Sequence, residues 1–278
     1  DRALKSISKV IDKARDNPEY IFIRGLIRFD RGNYDTARRD FNKAYEIDPL
    51  YHKAYFYVGR TSFAQGDHKT ALKIFRQVLD DKPKKGEYRF WMGRAFEELG
   101  RLEDALREYR KVTKHNPEYG QKNPKLFIRR GHLLVRLNLP DRGRQEIKKA
   151  LEVDPNLDEA RLAMAEADFS SKDYQSAIEN FRKVLDDAPK NPEAQYKLGM
   201  ALVYEDRKRE GAEHLQNAIR YGYDDPEVYR TLGYLYKELG RSGQAIESFK
   251  SYLRETADSD IDQATQREIL NQIKELGG

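Results

Sequence analysis

Leu4, Ile7, Val10, Ile11 and Ala14 recur at the spacing of one helical face, so the first sixteen residues predict an amphipathic helix. The far end, through "DIDQATQREILNQIKEL", predicts another. Between them the pattern of small, large and polar positions repeats. Glycine returns at 25, 59, 93, 131, 199 and 233, with Ala165 filling the gap, at spacings of 34, 34, 38, 34, 34 and 34. Twelve residues after each stands a small residue: Ala37, Ala71, Ala105, Gly143, Ala177, Gly211 or Ala245. Sixteen after stands a large one: Phe41, Phe75, Tyr109, Ile147, Phe181, Leu215 or Phe249. Twenty-four after stands proline in five cases, Pro49, Pro83, Pro117, Pro155 and Pro189, while Tyr223 and Ala257 break that column.

Each column has a mechanical reason. Glycine in a first helix and a small residue in the second let two backbones approach, and the large residue wedges between adjacent pairs. "RGN" at 31–33, "QGD" at 65–67 and "LGR" at 99–101 end first helices, because glycine accepts the left-handed cap conformation. Proline near the end of a second helix stops it, and Pro140 suits the first turn of one.

With this period and these columns in register over nearly the whole chain, the sequence resembles the tetratricopeptide repeat family. The resemblance implies an all-α fold, a right-handed superhelix (α-solenoid) of about seven full helix-turn-helix repeats over residues 18–257. The repeats would span 18–51, 52–85, 86–117, 124–157, 158–191, 192–225 and 226–257. Residues 1–17 would be the second helix of a truncated N-terminal repeat, and 258–278 a C-terminal capping helix that solubilises the end of the stack. The 38-residue step leaves a loop insertion at 118–123, within "NPEYGQKNPK", read either as a tolerated loop or as a hinge dividing the groove.

Composition narrows the functional classes. The absence of cysteine excludes disulfide frameworks and cysteine-ligated metals, and leaves the compartment open, with cytoplasm favoured over a bacterial periplasm or envelope. No apolar run is long enough to span a bilayer. The chain starts at Asp1 without methionine, which leaves room for an upstream signal, anchor or domain. Net charge is +5, with both signs interleaved along nearly every segment, so acidic partners are allowed and no nucleic-acid tail is visible.

Nothing in the residues points to catalysis, and no cofactor is expected. The five histidines fall in no metal-binding spacing, and there is no phosphate-cradling glycine loop or nucleophile elbow. The acidic pairs Asp80–Asp81 and Asp186–Asp187 sit at matching places before Pro83 and Pro189, so they echo the repeat. Helical repeats that read RNA need recurring polar readers at fixed columns. Here those columns vary, which argues against nucleic acid.

The columns six and two before the glycine, and one and five after it, cluster on one helical face. In the family this chain resembles, that face lines a concave groove holding peptides. Its middle stretch is aromatic and basic: Lys53, Tyr57 and Arg60, then Trp91 and Arg94, then Lys125, Arg129, His132 and Arg136. Farther on the columns hold Glu159, Glu166 and Glu193 mixed with Lys197, Met200, Tyr204 and Tyr234. The family's recurring tryptophan lies four before the glycine. In the third repeat that place is Arg89, whose stem is expected to cross the core and carry its charge outward. Trp91, the only tryptophan, lies two before Gly93 on the groove side. A chaperone-tail clamp of the family would place its gripping residues at Phe56, Arg60, Trp91, Lys125 and Arg129, and only the last two match in type.

Trp, Tyr and Arg are the residues in which binding energy concentrates. The candidate partner-binding residues are therefore Tyr57, Arg60, Trp91, Arg94, Lys125, Arg129, His132 and Arg136. The expected function is a non-catalytic scaffold or adaptor of bacterial style, whose groove takes an acidic peptide or helix with an aromatic or aliphatic anchor. The alternatives are a regulatory or substrate-recruiting arm of a larger enzyme or of an envelope, secretion or motility complex, and self-association.

Overall fold

The computed structural model describes residues 2–14, 17–257 and 263–278. The described residues are all-α, with seventeen helices and no strand. None of these helices is long and apolar enough to cross a membrane. The chain divides into two units, Asp1–Leu126 and Phe127–Gly278.

Unit 1 runs α1 (Arg2–Lys13), α2 (Pro18–Asp30), α3 (Tyr34–Ile47), α4 (His52–Ala64), α5 (His68–Asp81), α6 (Gly86–Glu98), α7 (Leu102–His115) and the short α8 (Pro117–Gln121). The unit boundary falls inside α9 (Pro124–Arg136). Unit 2 continues with α10 (Pro140–Val153), α11 (Asp158–Ser170), α12 (Tyr174–Asp187), α13 (Pro192–Tyr204), α14 (Lys208–Arg220), α15 (Glu227–Glu238), α16 (Ser242–Glu255) and α17 (Gln263–Glu275). The start of the expected capping segment, 258–262, lies outside the described residues, as do Asp1, Arg15 and Asp16. The expected loop at 118–123 is not wholly irregular, since α8 occupies most of it.

Local chemistry starts these helices. The Asn17 side chain accepts from the Glu19 and Tyr20 amides at 2.9 and 3.3 Å, Asp67 from Thr70 at 3.0 Å, and Asn191 from Ala194 at 3.0 Å. Pro18, Pro140 and Pro192 occupy first-turn positions, where a missing amide proton costs nothing.

Packing within a pair follows one rule. A Cβ added to Gly25 would stand 2.6 Å from the Phe41 ring, one on Gly59 2.7 Å from Phe75, one on Gly93 2.4 Å from Tyr109, and one on Gly233 2.4 Å from Phe249. All four rings are wholly buried, so each glycine is the notch into which the ring sixteen residues later sits.

Seven residues after the notch, every first helix turns through a left-handed residue: Gly32, Gly66, Gly100, Asn138, Lys172, Asp206 and Gly240. Lys172, at φ 62°, carries a Cβ that this region penalises. Lys172→Gly is expected to stabilise the protein by about 0.5–1 kcal/mol, seen as a raised thermal midpoint. Asn138→Gly should gain less, because asparagine tolerates the conformation. A larger gain at Asn138 than at Lys172 would contradict this account.

Candidate partner-binding groove

The packing side of each first helix carries polar side chains that the core must satisfy. Arg89 does not bring its charge to water. Its side chain is 13% exposed, and Nε and Nη2 donate to the Pro83 carbonyl at 3.0 and 2.8 Å while Nη1 reaches Glu108 at 2.9 Å. Glu108 is buried and also receives Lys111 at 2.6 Å. The same column repeats the device: Arg161 donates to the Pro155 carbonyl at 3.3 Å, and Gln195 to that of Pro189 at 2.9 Å. A polar donor four before the glycine thus ties the first helix to the proline that ends the preceding one. That carbonyl would otherwise lack a partner, because the chain has left its helix there.

On the opposite face of unit 1, Arg60 and Arg94 are laid over a continuous set of rings. The Arg60 guanidinium carbon lies 3.7 Å from the Trp91 ring centroid, 5.3 Å from Tyr57 and 5.5 Å from Phe29. That of Arg94 lies 4.7 Å from Trp91 and 4.8 Å from Phe63. Phe63 meets Trp91 edge-on, with centroids 5.3 Å apart at 83°. α4 and α6 supply both cations and the indole, and α2 reaches in with Phe29. Such contacts contribute about 0.5–2 kcal/mol each when partly desolvated.

Trp91 therefore neither plugs the core nor stands alone in solvent. It is the shared plate for two guanidiniums.

Charge at this place is incompletely balanced. Arg94 has Glu98 at 4.0 Å, whereas Arg60 has no carboxylate within ion-pairing distance among the described residues. Arg60 Nε is buried and makes no hydrogen bond. Burial lowers the affinity of Arg60 for its proton below the ordinary arginine value, against the pull of Tyr57, Glu87 and Asp30. Burial also raises the Tyr57 hydroxyl, so that it stays protonated.

Tyr57 has a double role. Its ring packs against Phe22, Phe29 and Phe41 at centroid distances of 5.2, 6.1 and 5.3 Å, and Arg60 lies over it. Phe29 and Phe63 sit four residues after their glycines, where an aromatic reads as packing. The structure places both beneath guanidiniums, a role that only the lateral reach of the arginines reveals.

The remaining candidates sit on α9. Lys125, in unit 1, is exposed; Arg136, in unit 2, is also exposed, and Arg129 is half-buried. His132, in unit 2, stands 3.6 Å from Glu166 through Nδ1. Glu166 also holds Lys197 at 3.1 Å, and Lys197 holds Glu193 at 3.2 Å. Burial alone would lower the Lys197 ammonium, but Glu166 and Glu193 outweigh it and hold the group above its ordinary value. Glu166, Lys197 and Glu193 in unit 2 thus pair with one another, in contrast to Arg60. Among the described residues no three His, Asp or Glu side chains gather as a metal site.

Family models of the tetratricopeptide repeat match residues 18–51, 62–122, 128–192 and 196–260. The chain belongs to the tetratricopeptide repeat family. A tetratricopeptide repeat (TPR) protein from Parabacteroides merdae shares its fold with TM-score 0.65 at 18% identity, over 93% of this chain and 99% of that one. YrrB, described as a TPR protein with an unusual peptide-binding site, matches with TM-score 0.59 at 20% identity, over 69% of this chain and 96% of its own. MamA from Desulfovibrio magneticus RS-1 matches with TM-score 0.58 at 21% identity, over 64% of this chain and 98% of its own. No curated protein matches the chain. At these identities the TPR neighbours establish the fold, and the TPR fold is one of protein interaction.

Proposed function

We propose that this TPR protein is a non-catalytic scaffold or adaptor whose unit 1 groove holds an acidic peptide or helix bearing an aromatic or aliphatic anchor. The observation that carries the reading is Arg60, a guanidinium stacked on Trp91 and partly withdrawn from water without a carboxylate of its own. Stacking holds the cation over the indole, and the planar fork of a guanidinium so held is suited to pairing with a carboxylate. Ile23, exposed two residues before Gly25 on the same face, supplies apolar surface for the anchor. YrrB, with its peptide-binding site, is a precedent for this use of the fold. A bacterial setting is the natural context, given the style of the repeats and neighbours such as the Parabacteroides protein.

The test is fluorescence anisotropy of a labelled octapeptide of seven glutamates and one leucine. Wild type should bind it at low salt and progressively less tightly as salt screens the pairing. Trp91→Ala and Arg94→Glu should each weaken binding about tenfold or more with helical content unchanged. Equal affinity in all three proteins would remove the groove from consideration.

A further inference from the structure

The segment lengthened by four residues between the third and fourth repeats carries α8, seated by two close approaches. A Cβ on Gly86, at the start of α6, would stand 2.8 Å from Cδ1 of Tyr119, and one on Gly120 would stand 2.8 Å from Cγ2 of Thr113. Neither glycine belongs to the repeating columns, and both serve this one contact. The Asn116 side chain accepts from the Tyr119 amide at 3.0 Å, and the Tyr119 side chain hydrogen-bonds Asn123. α8 is therefore a docked element with its aromatic ring held in place.

The ring lies against Gly86, the residue before Glu87. Glu87 lies six residues before Gly93, in a groove column, and both Glu87 and Arg60 are within electrostatic reach of the Tyr119 hydroxyl. Burial and then Glu87 push that hydroxyl up to about 12, so it remains a neutral hydrogen-bonding group at any physiological pH. The carboxylate of α8 takes no part. Glu118 is exposed and pairs with Lys122 at 2.8 Å rather than with Arg60. A segment that mimicked the ligand would have put its acid on Arg60.

Resting on the groove reading above, we infer that Tyr119 is a recognition residue, and that α8 is a fixed wall of the Arg60 site which shields the guanidinium from water and contacts the bound acidic segment. Excluding water on one side strengthens each ion pair formed there, because the local dielectric falls.

The same labelled octapeptide tests this on the full chain, with helicity checked by circular dichroism. Tyr119→Ala, and separately Gly86→Val, which keeps the tyrosine but denies it its seat, should each weaken binding about tenfold. Tyr119→Phe should bind nearly as wild type does, since the ring is the wall. If Arg60→Gln abolishes binding while Tyr119→Ala and Gly86→Val bind as tightly as wild type, or more tightly, the wall is overturned and the groove stands. If Arg60→Gln binds as wild type does, the groove reading fails and takes the wall with it.

Discussion

Arg60→Glu is expected to lower affinity for the acidic octapeptide at least a hundredfold, the largest binding effect of any single change in the molecule. Three losses coincide. The ligand carboxylate loses its partner, a like charge takes that partner's place, and the contacts of the guanidinium with Trp91, Tyr57 and Phe29 disappear. Truncating one side of a desolvated charge pair costs roughly 2–5 kcal/mol, and a hundredfold change corresponds to about 2.7 kcal/mol. Arg60→Lys separates the charge from the geometry. It keeps the cation but not the flat fork that stacks on the indole, so it should retain only part of the affinity. Full affinity in Arg60→Lys would show that stacking is incidental, and unaltered affinity in Arg60→Glu would show that the ligand binds elsewhere.

Glu108→Ala should produce the largest loss of local stability among the polar substitutions, about 3 kcal/mol, read as faster amide exchange throughout α6 and α7. The carboxylate is 6% exposed and holds both Arg89 and Lys111, so its removal strands a guanidinium that is itself 13% exposed. Arg89 keeps the Pro83 carbonyl, which limits the damage. The double variant Arg89→Met/Glu108→Leu should recover most of the loss, because replacing a buried ion pair by apolar side chains of similar size is often neutral. Failure of the double variant to recover would mean that the tie to Pro83, rather than the ion pair, holds α6 in place.

The all-α repeat architecture was legible because one spatial rule is written into every pair. Gly93 is open where Tyr109 needs space, as Gly25 is for Phe41, and such a rule leaves its period in the letters. The side of the helix on which Trp91 lies was equally readable, since a face follows from the helical period alone. Other features do not follow from a face. Phe29 and Phe63 join the site because arginine side chains reach sideways across helices, and no column records reach. Arg89 occupies a core column through a hydrogen bond to a backbone carbonyl, an acceptor that every residue has and that therefore carries no sequence signal. The pairing of Lys197 with Glu166 and Glu193, with His132 beside Glu166, joins residues about a repeat apart, each of which alone reads as an available group. Five residues of α8 are too few to display a helical period, and the glycines that seat it lie outside the pattern that makes the other glycines recognisable.

Because Trp91 is the only indole in the chain, all tryptophan emission arises from one place, the ring between Arg60 and Arg94 in unit 1. Unfolding followed at that wavelength traces unit 1 by itself, whereas circular dichroism averages over every helix in both units. The two curves should separate if the units melt independently and superimpose if they melt together. The proposed binding site thus doubles as an unlabelled optical probe of how cooperative the chain is.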